Sequence, residues 1–213
     1  MKLNDSGVIF LEDPRGYWLG DKQLEGLTGM IGRQLFPNKY KAVPEKVLAN
    51  AAKRGHKIHE DIQMYDMIGE AKTEEVKWYA EMKENEGFEV IDSEYLVTDG
   101  THFASAIDKV IRRNGKICLG DVKTTYELDK DYISWQLSIY KYLFNLANPN
   151  IEVDKLYAIW VRKGAQLIEV PEIPKEEVIR LLDCERNGKQ YTRNDIATAV
   201  DEKALAVVRE MST

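Results

Sequence analysis

The sequence predicts an α/β fold: a mixed β-sheet with an antiparallel meander, flanked by helices. Three observations predict it. Residues 88–124 contain three β-rich runs separated by Asp99-Gly100 and Asn114-Gly115, dipeptides that favour tight hairpins. The stretches before and after that meander carry apolar residues at three- and four-residue spacing, the period of a helix. Two further strand patterns follow the second helical stretch.

Taken in order, the first forty residues are interrupted by Gly16, Gly20, Gly26, Gly29 and Gly32 and read as loops, with a short strand at Tyr17–Leu19 and a helix at Leu27–Leu35. From Pro44 to Asn85, Leu48, Ala51, Ala52, Ile58, Ile62 and Tyr65 form a helical pattern, and Gly69 separates it from a second helix. Strands follow at Phe88–Val97, Phe103–Arg112 and Lys116–Thr124. Asp131–Ala147 is helical, with its apolar stripe at Ile133, Leu137, Tyr140, Phe144 and Ala147. Lys155–Arg162 and Gln166–Val170 read as strands, and Pro174–Asn187 and Asn194–Met211 as helices. There is no repeat, low-complexity segment or linker, so residues 1–213 are expected to form a single domain.

Composition narrows the function classes. At 44% hydrophobic and 31% charged residues the chain is no disordered polymer. No apolar run approaches a membrane span and no secretory pattern opens the chain, so a cytoplasmic protein is expected. Two cysteines, Cys118 and Cys184, exclude a disulfide framework and an iron-sulfur cluster held by four cysteines of this chain. Cys118 reads as a small core residue. A net charge of −6 argues against coating nucleic acid by bulk electrostatics, but local cations and bound metal can handle phosphate on an acidic protein.

The chemistry concentrates in the hairpin AIDKVIRRNGKICLGDVKT, residues 106–124. If Asn114-Gly115 is a two-residue loop, Arg113 pairs with Lys116, and the constant register of an antiparallel ladder carries that pairing down to Asp108 opposite Asp121. Lys123 then shares their face. Carboxylates directly opposite one another destabilise a sheet unless one keeps a proton or a cation binds between them. Two hard oxygen ligands with open coordination positions suit magnesium or manganese. A register slip of one residue would instead send the two aspartates to opposite faces. Beside the acids, the Lys123 ammonium group can hold an attacking water or the charge that builds on phosphoryl oxygens. Gln136 interrupts an apolar helix face, where an inward amide needs partners, and Tyr140 lies one turn later.

These residues resemble the PD-(D/E)XK nuclease superfamily: Asp108, then Asp121-Val122-Lys123 on the following strand. Gly55-His56-Lys57-Ile58-His59-Glu60 resembles the G-x-x-x-H element, and Gln136-Leu137-Ser138-Ile139-Tyr140 the Q-x-x-x-Y element, of the RecB-like and phage-exonuclease branch. The resemblance implies a restriction-endonuclease-like core. It also implies one or two Mg2+ or Mn2+ ions held by His59, Asp108, Asp121 and the carbonyl of Val122, with Lys123, Gln136 and Tyr140 as catalytic residues. The implied activity is DNA hydrolysis, by an exonuclease of recombination or repair rather than a site-specific endonuclease. A recombination partner such as a single-strand annealing protein and self-association are further expectations.

Other residues are open at this stage. Glu94 faces away from Asp108 if Asp99-Gly100 is a two-residue loop and towards it if the loop has three, so it stands as an auxiliary ligand. Thr28, Arg54 and Lys57 are candidate substrate contacts, against solvation as surface residues. A zinc site on His56 and His59 lacks further ligands in a suitable pattern. Two other functions remain: a catalytically silent or partner-dependent DNA-binding module, and a metal-dependent nucleotide phosphohydrolase.

Overall fold

The computed structural model describes residues 2–193. Its strands are β1 (Val8–Glu12), β2 (Arg15–Leu19), β3 (Lys22–Gly26), β4 (Phe88–Thr98), β5 (Phe103–Arg113), β6 (Lys116–Lys123), β7 (Val153–Val161) and β8 (Ala165–Val170). The helices are α1 (Leu27–Leu35), α2 (Glu45–Ile68), α3 (Glu74–Glu86), α4 (Lys130–Ala147) and α5 (Lys175–Arg186). All eight strands form one mixed sheet, in which β3 joins β5 and β6 joins β7 in parallel while the other pairings are antiparallel. The predicted fold class holds. No helix among the described residues is long and apolar enough to cross a membrane. The helix expected at Asn194–Met211 lies outside the described residues.

The Asn114-Gly115 turn forms as the sequence requires, with φ of 51° and 77° at its two central residues, and Arg113 pairs with Lys116. The preceding turn is wider than either loop considered for it. Thr98 pairs with Ala104, leaving Asp99–Phe103 as the loop, because the Asp99 carboxylate accepts the N–H groups of Thr101, His102 and Phe103 and holds it open.

Two elements escape a reading of the sequence, β1 and β3. In β1 the apolar Ile9 and Leu11 point outward and are 54% and 39% exposed, which hides the alternation expected of a half-buried strand. Together β1, β2 and β3 form a small meander with its own core of Val8, Leu24 and Ala104, packed with Tyr17, Leu19 and Leu96.

Helix α4 buries nearly all its length against one face of the sheet, through side chains that include Ile133, Leu137, Tyr140 and Phe144. Helices α2 and α3 cover the other, where Ile58, Ile62, Val76 and Tyr79 meet Ile111, Cys118, Val122 and Ile159. Cys118 is a buried core residue, as expected. A buried charge cluster locks α2 down: the Asp66 carboxylate accepts from Lys83 and Lys109, each at 2.7 Å, and from Tyr79 at 3.0 Å. Lys109 also donates to Ser93 at 2.9 Å. Since Lys109 follows Asp108 on β5, this cluster ties the helix that carries His59 to the strand that carries Asp108.

Candidate active site

The site lies where β5 and β6 part. Their ladder ends at Lys109–Gly120, one step before Asp108 and Asp121. Because Ala104 pairs with Thr98 of β4 on one edge, its pairing with Gly26 of β3 must use the other edge, the one β6 has left. The fork opens a cleft of about 480 Å³ lined by Asp108, Asp121, Lys123, His59, Glu94 and Gln136, among others. Asp108 bridges the fork, its Oδ2 accepting the Val122 N–H at 2.7 Å.

Three acids from three neighbouring strands meet here. In the β4–β5 register, Tyr95 pairs with Ile107 and Ser93 with Lys109, which sets Glu94 beside Asp108. Glu94 adopts a φ of 54°, a left-handed conformation that costs a non-glycine residue about 1 kcal/mol or more. From α2, His59 brings Nδ1 to 3.5 Å from Asp108 Oδ2. Gly55, one turn earlier, explains how the helix comes so close: a Cβ there would lie 3.3 Å from Thr124 Oγ1, just past β6. His59, Glu94 and Asp108 each present a ligand atom, all within 4.8 Å of one another.

On the α4 side, Lys123 Nζ sits 2.5 Å from Asp121 Oδ2 as an ion pair without hydrogen-bond alignment, and donates to Gln136 Oε1 at 3.0 Å. Gln136 Nε2 donates to the Tyr140 hydroxyl at 2.7 Å, and Ser105 Oγ lies 3.2 Å from the same oxygen. Both ends of the Gln136 amide are therefore engaged by Lys123 and Tyr140. From the wall of the cleft it orients the lysine.

Electrostatics follow from this crowding. Burial, reinforced by Asp108, pushes the Glu94 carboxyl up to about 7. Asp121 is fully buried, and desolvation pushes it up to about 6, although Lys123 pulls the other way. Burial alone would lower Lys123, but Asp121 and Asp108 outweigh it and the ammonium form is favoured. Burial and the same two acids hold the Tyr140 phenol well above its usual range, so it stays protonated. Two carboxylates held above their ordinary range mark negative charge that the protein does not itself neutralise.

A divalent cation fits this donor set. Carboxylate oxygens of Glu94 and Asp108 converge with the His59 imidazole, and Asp121 lines the same cleft, its buried Oδ2 accepting no aligned hydrogen bond among the described residues.

Of the other candidates, Thr28 lines the cleft at the start of α1. Arg54 pairs with Glu75 at 3.0 Å and Lys57 with Asp61 at 2.7 Å, and neither lines it. Sequence reasoning missed Ser105, Phe10, Arg15 and Tyr17, which also line the cleft. The last three belong to the β1–β3 meander, of which the sequence reading found only Tyr17–Leu19, and the aromatic–cation interleaving of Phe10, Arg15 and Tyr17 is the signal that could have found them.

The chain matches the family model of the PD-(D/E)XK nuclease superfamily over residues 32–212. Among solved structures it is similar to the crystal structure of SSO0001, with 16% sequence identity over 83% of this chain and 82% of that one and a TM-score of 0.44. No curated protein matches it.

Proposed function

Because the chain belongs to the PD-(D/E)XK nuclease superfamily, we propose that it is a divalent-metal-dependent deoxyribonuclease, and within that superfamily an exonuclease of the RecB-like or phage type serving recombination or repair. The observation that carries the reading is the fork between β5 and β6, where Glu94, Asp108 and Asp121 gather beside Lys123. A structural metal site would have no need of a half-buried ammonium group among its acids.

His59, Asp108, Asp121, the Val122 carbonyl and, as an auxiliary ligand, Glu94 would hold one or two magnesium or manganese ions. Such an ion supplies a water of lowered pKa and neutralises charge on the scissile phosphate. Lys123 orients the attacking water and offsets the negative charge growing on the phosphoryl oxygens. Gln136 and Tyr140 fix the lysine through the hydrogen bonds described, which keeps its Nζ from swinging to solvent. His59 also steadies Asp108 across the mouth of the cleft. DNA is the substrate we propose, with residues 1–213 acting as one domain.

The test is hydrolysis of linear duplex and single-stranded DNA with magnesium, by the unaltered protein and by Asp121→Ala and Lys123→Ala variants. Loss of cleavage in both variants supports the reading, and unchanged activity in both removes it. Digestion of linear but not circular DNA supports the exonuclease assignment. Turnover of free nucleotides without DNA cleavage would favour a phosphohydrolase instead.

A further inference from the structure

One wall of the cleft takes no part in the chemistry outlined above. Phe10 on β1 and Tyr17 on β2 are register partners, with ring centroids 5.0 Å apart, and the Arg15 guanidinium lies 5.6 Å from the Phe10 centroid. All three line the same cleft as Asp108 and Asp121. Tyr17 fixes the wall in place: its ring packs on Val8, Leu24 and Ala104, and its hydroxyl faces Ser105, which in turn meets Tyr140. Packing therefore accounts for Tyr17. It does not account for Phe10, partly buried at the cleft, or for Arg15, which is exposed and forms no ion pair among the described residues.

An aromatic face and an unneutralised guanidinium beside a phosphodiester-cutting centre are what a nucleotide requires: the base stacks, and the cation meets its phosphate. The acidic chain gives this weight, since at a net charge of −6 bulk electrostatics cannot supply the affinity. A base offers its face to a side chain only once it has left the duplex stack.

Resting on the nuclease reading, we propose that Phe10 and Arg15 form a nucleotide shelf that receives an unpaired base next to the bond to be cut. The enzyme would then take single-stranded DNA, or a frayed end, in preference to blunt duplex.

The experiment measures kcat/KM with magnesium on oligothymidylates carrying one abasic site, moved a position at a time. Unaltered protein should lose about 5- to 150-fold at one position beside the cleaved bond, the range that stacking a single base supplies. Phe10→Ala should lose a comparable factor on the intact oligonucleotide and almost nothing more at that abasic position, whereas Phe10→Trp should retain activity. The abasic series needs no variant, so misfolding of Phe10→Ala cannot mask the answer. An abasic series with no sensitive position, or a Phe10→Ala loss that adds in full to the abasic loss, overturns the shelf. If the unaltered protein cuts DNA without any dependence on Phe10, only the shelf falls. If it cuts neither single-stranded nor duplex DNA, the nuclease reading falls with it.

Discussion

Replacing Glu94 by glutamine should stabilise the metal-free protein, and more so at alkaline than at acid pH. Folding carries this carboxyl from water into the cleft beside Asp108, moving its pKa from 4.5 to about 7. The sign follows from linkage. Below pH 4.5 the group is protonated in both folded and unfolded chains and the amide gains nothing. Between 4.5 and about 7 the unfolded chain releases the proton first, so folding stability declines, and above 7 the full deficit remains. At about 1.4 kcal/mol for each tenfold change in proton affinity, the ceiling is about 3 kcal/mol. The carboxyl is partly open to water, and screening reduces the expected gain to about 1–2 kcal/mol. For a domain of this size that raises Tm by about 2–8 °C. Urea and thermal unfolding in EDTA, at about pH 5 and pH 8, measure it. Adding magnesium should narrow or reverse the difference, because the substituted amide would bring no negative charge to a bound ion. A variant no more stable than the parent at pH 8, or equally stabilised at both pH values, would refute the reasoning.

Three other perturbations have definite outcomes. Asp66→Ala strands Lys109, whose side chain is only 3% exposed, and should cost about 3–5 kcal/mol, with most of it recovered on adding Lys109→Met; urea unfolding of both variants measures it, and a loss under about 1 kcal/mol contradicts the buried-pair account. Gln136→Leu removes the acceptor of Lys123 and a donor to Tyr140, so DNA cleavage in single turnover should slow on the order of 10–100-fold while the fold is retained by circular dichroism. Burial would raise the Asp99 carboxyl, but Arg186 and the N–H groups of His102, Phe103 and Thr101 outweigh it and pull it down to about 2. Its stabilisation is present above the unfolded value of 3.8 and is lost as pH falls through 2. After allowance for solvent screening, Asp99→Asn should cost about 1–2 kcal/mol near neutrality and little at about pH 2, measured by urea unfolding at both.

The hairpin is legible because Asn114-Gly115 leaves the backbone almost no choice, and one fixed turn propagates a register over five pairs to the edge of the acid site. Helix α1 is legible to the residue, and α2, α3 and α4 follow from their apolar spacing and the break at Gly69. Glu94 is undecidable from sequence for a physical reason: the loop that sets its register is held by a side chain, Asp99, capturing three backbone N–H groups, so dipeptide rules do not govern it. Strand β1 is illegible for another, since its apolar Ile9 and Leu11 are exposed and hide the alternation by which strands are recognised. The lock on α2 is equally hidden, because Asp66 and Lys109 look like surface charges until a helix and a strand bring them together.

The three acids have one more consequence. Glu94 and Asp108 stand side by side on β4 and β5, and the pitch of a sheet, about 4.8 Å from strand to strand, acts as the gauge that spaces their backbones. The spacing of those two backbones is then a property of the sheet, while the fork between β5 and β6 sets where Asp121 stands. Deleting one residue inside β5 turns Asp108 to the opposite face and dismantles the centre while most of the sheet is left in place.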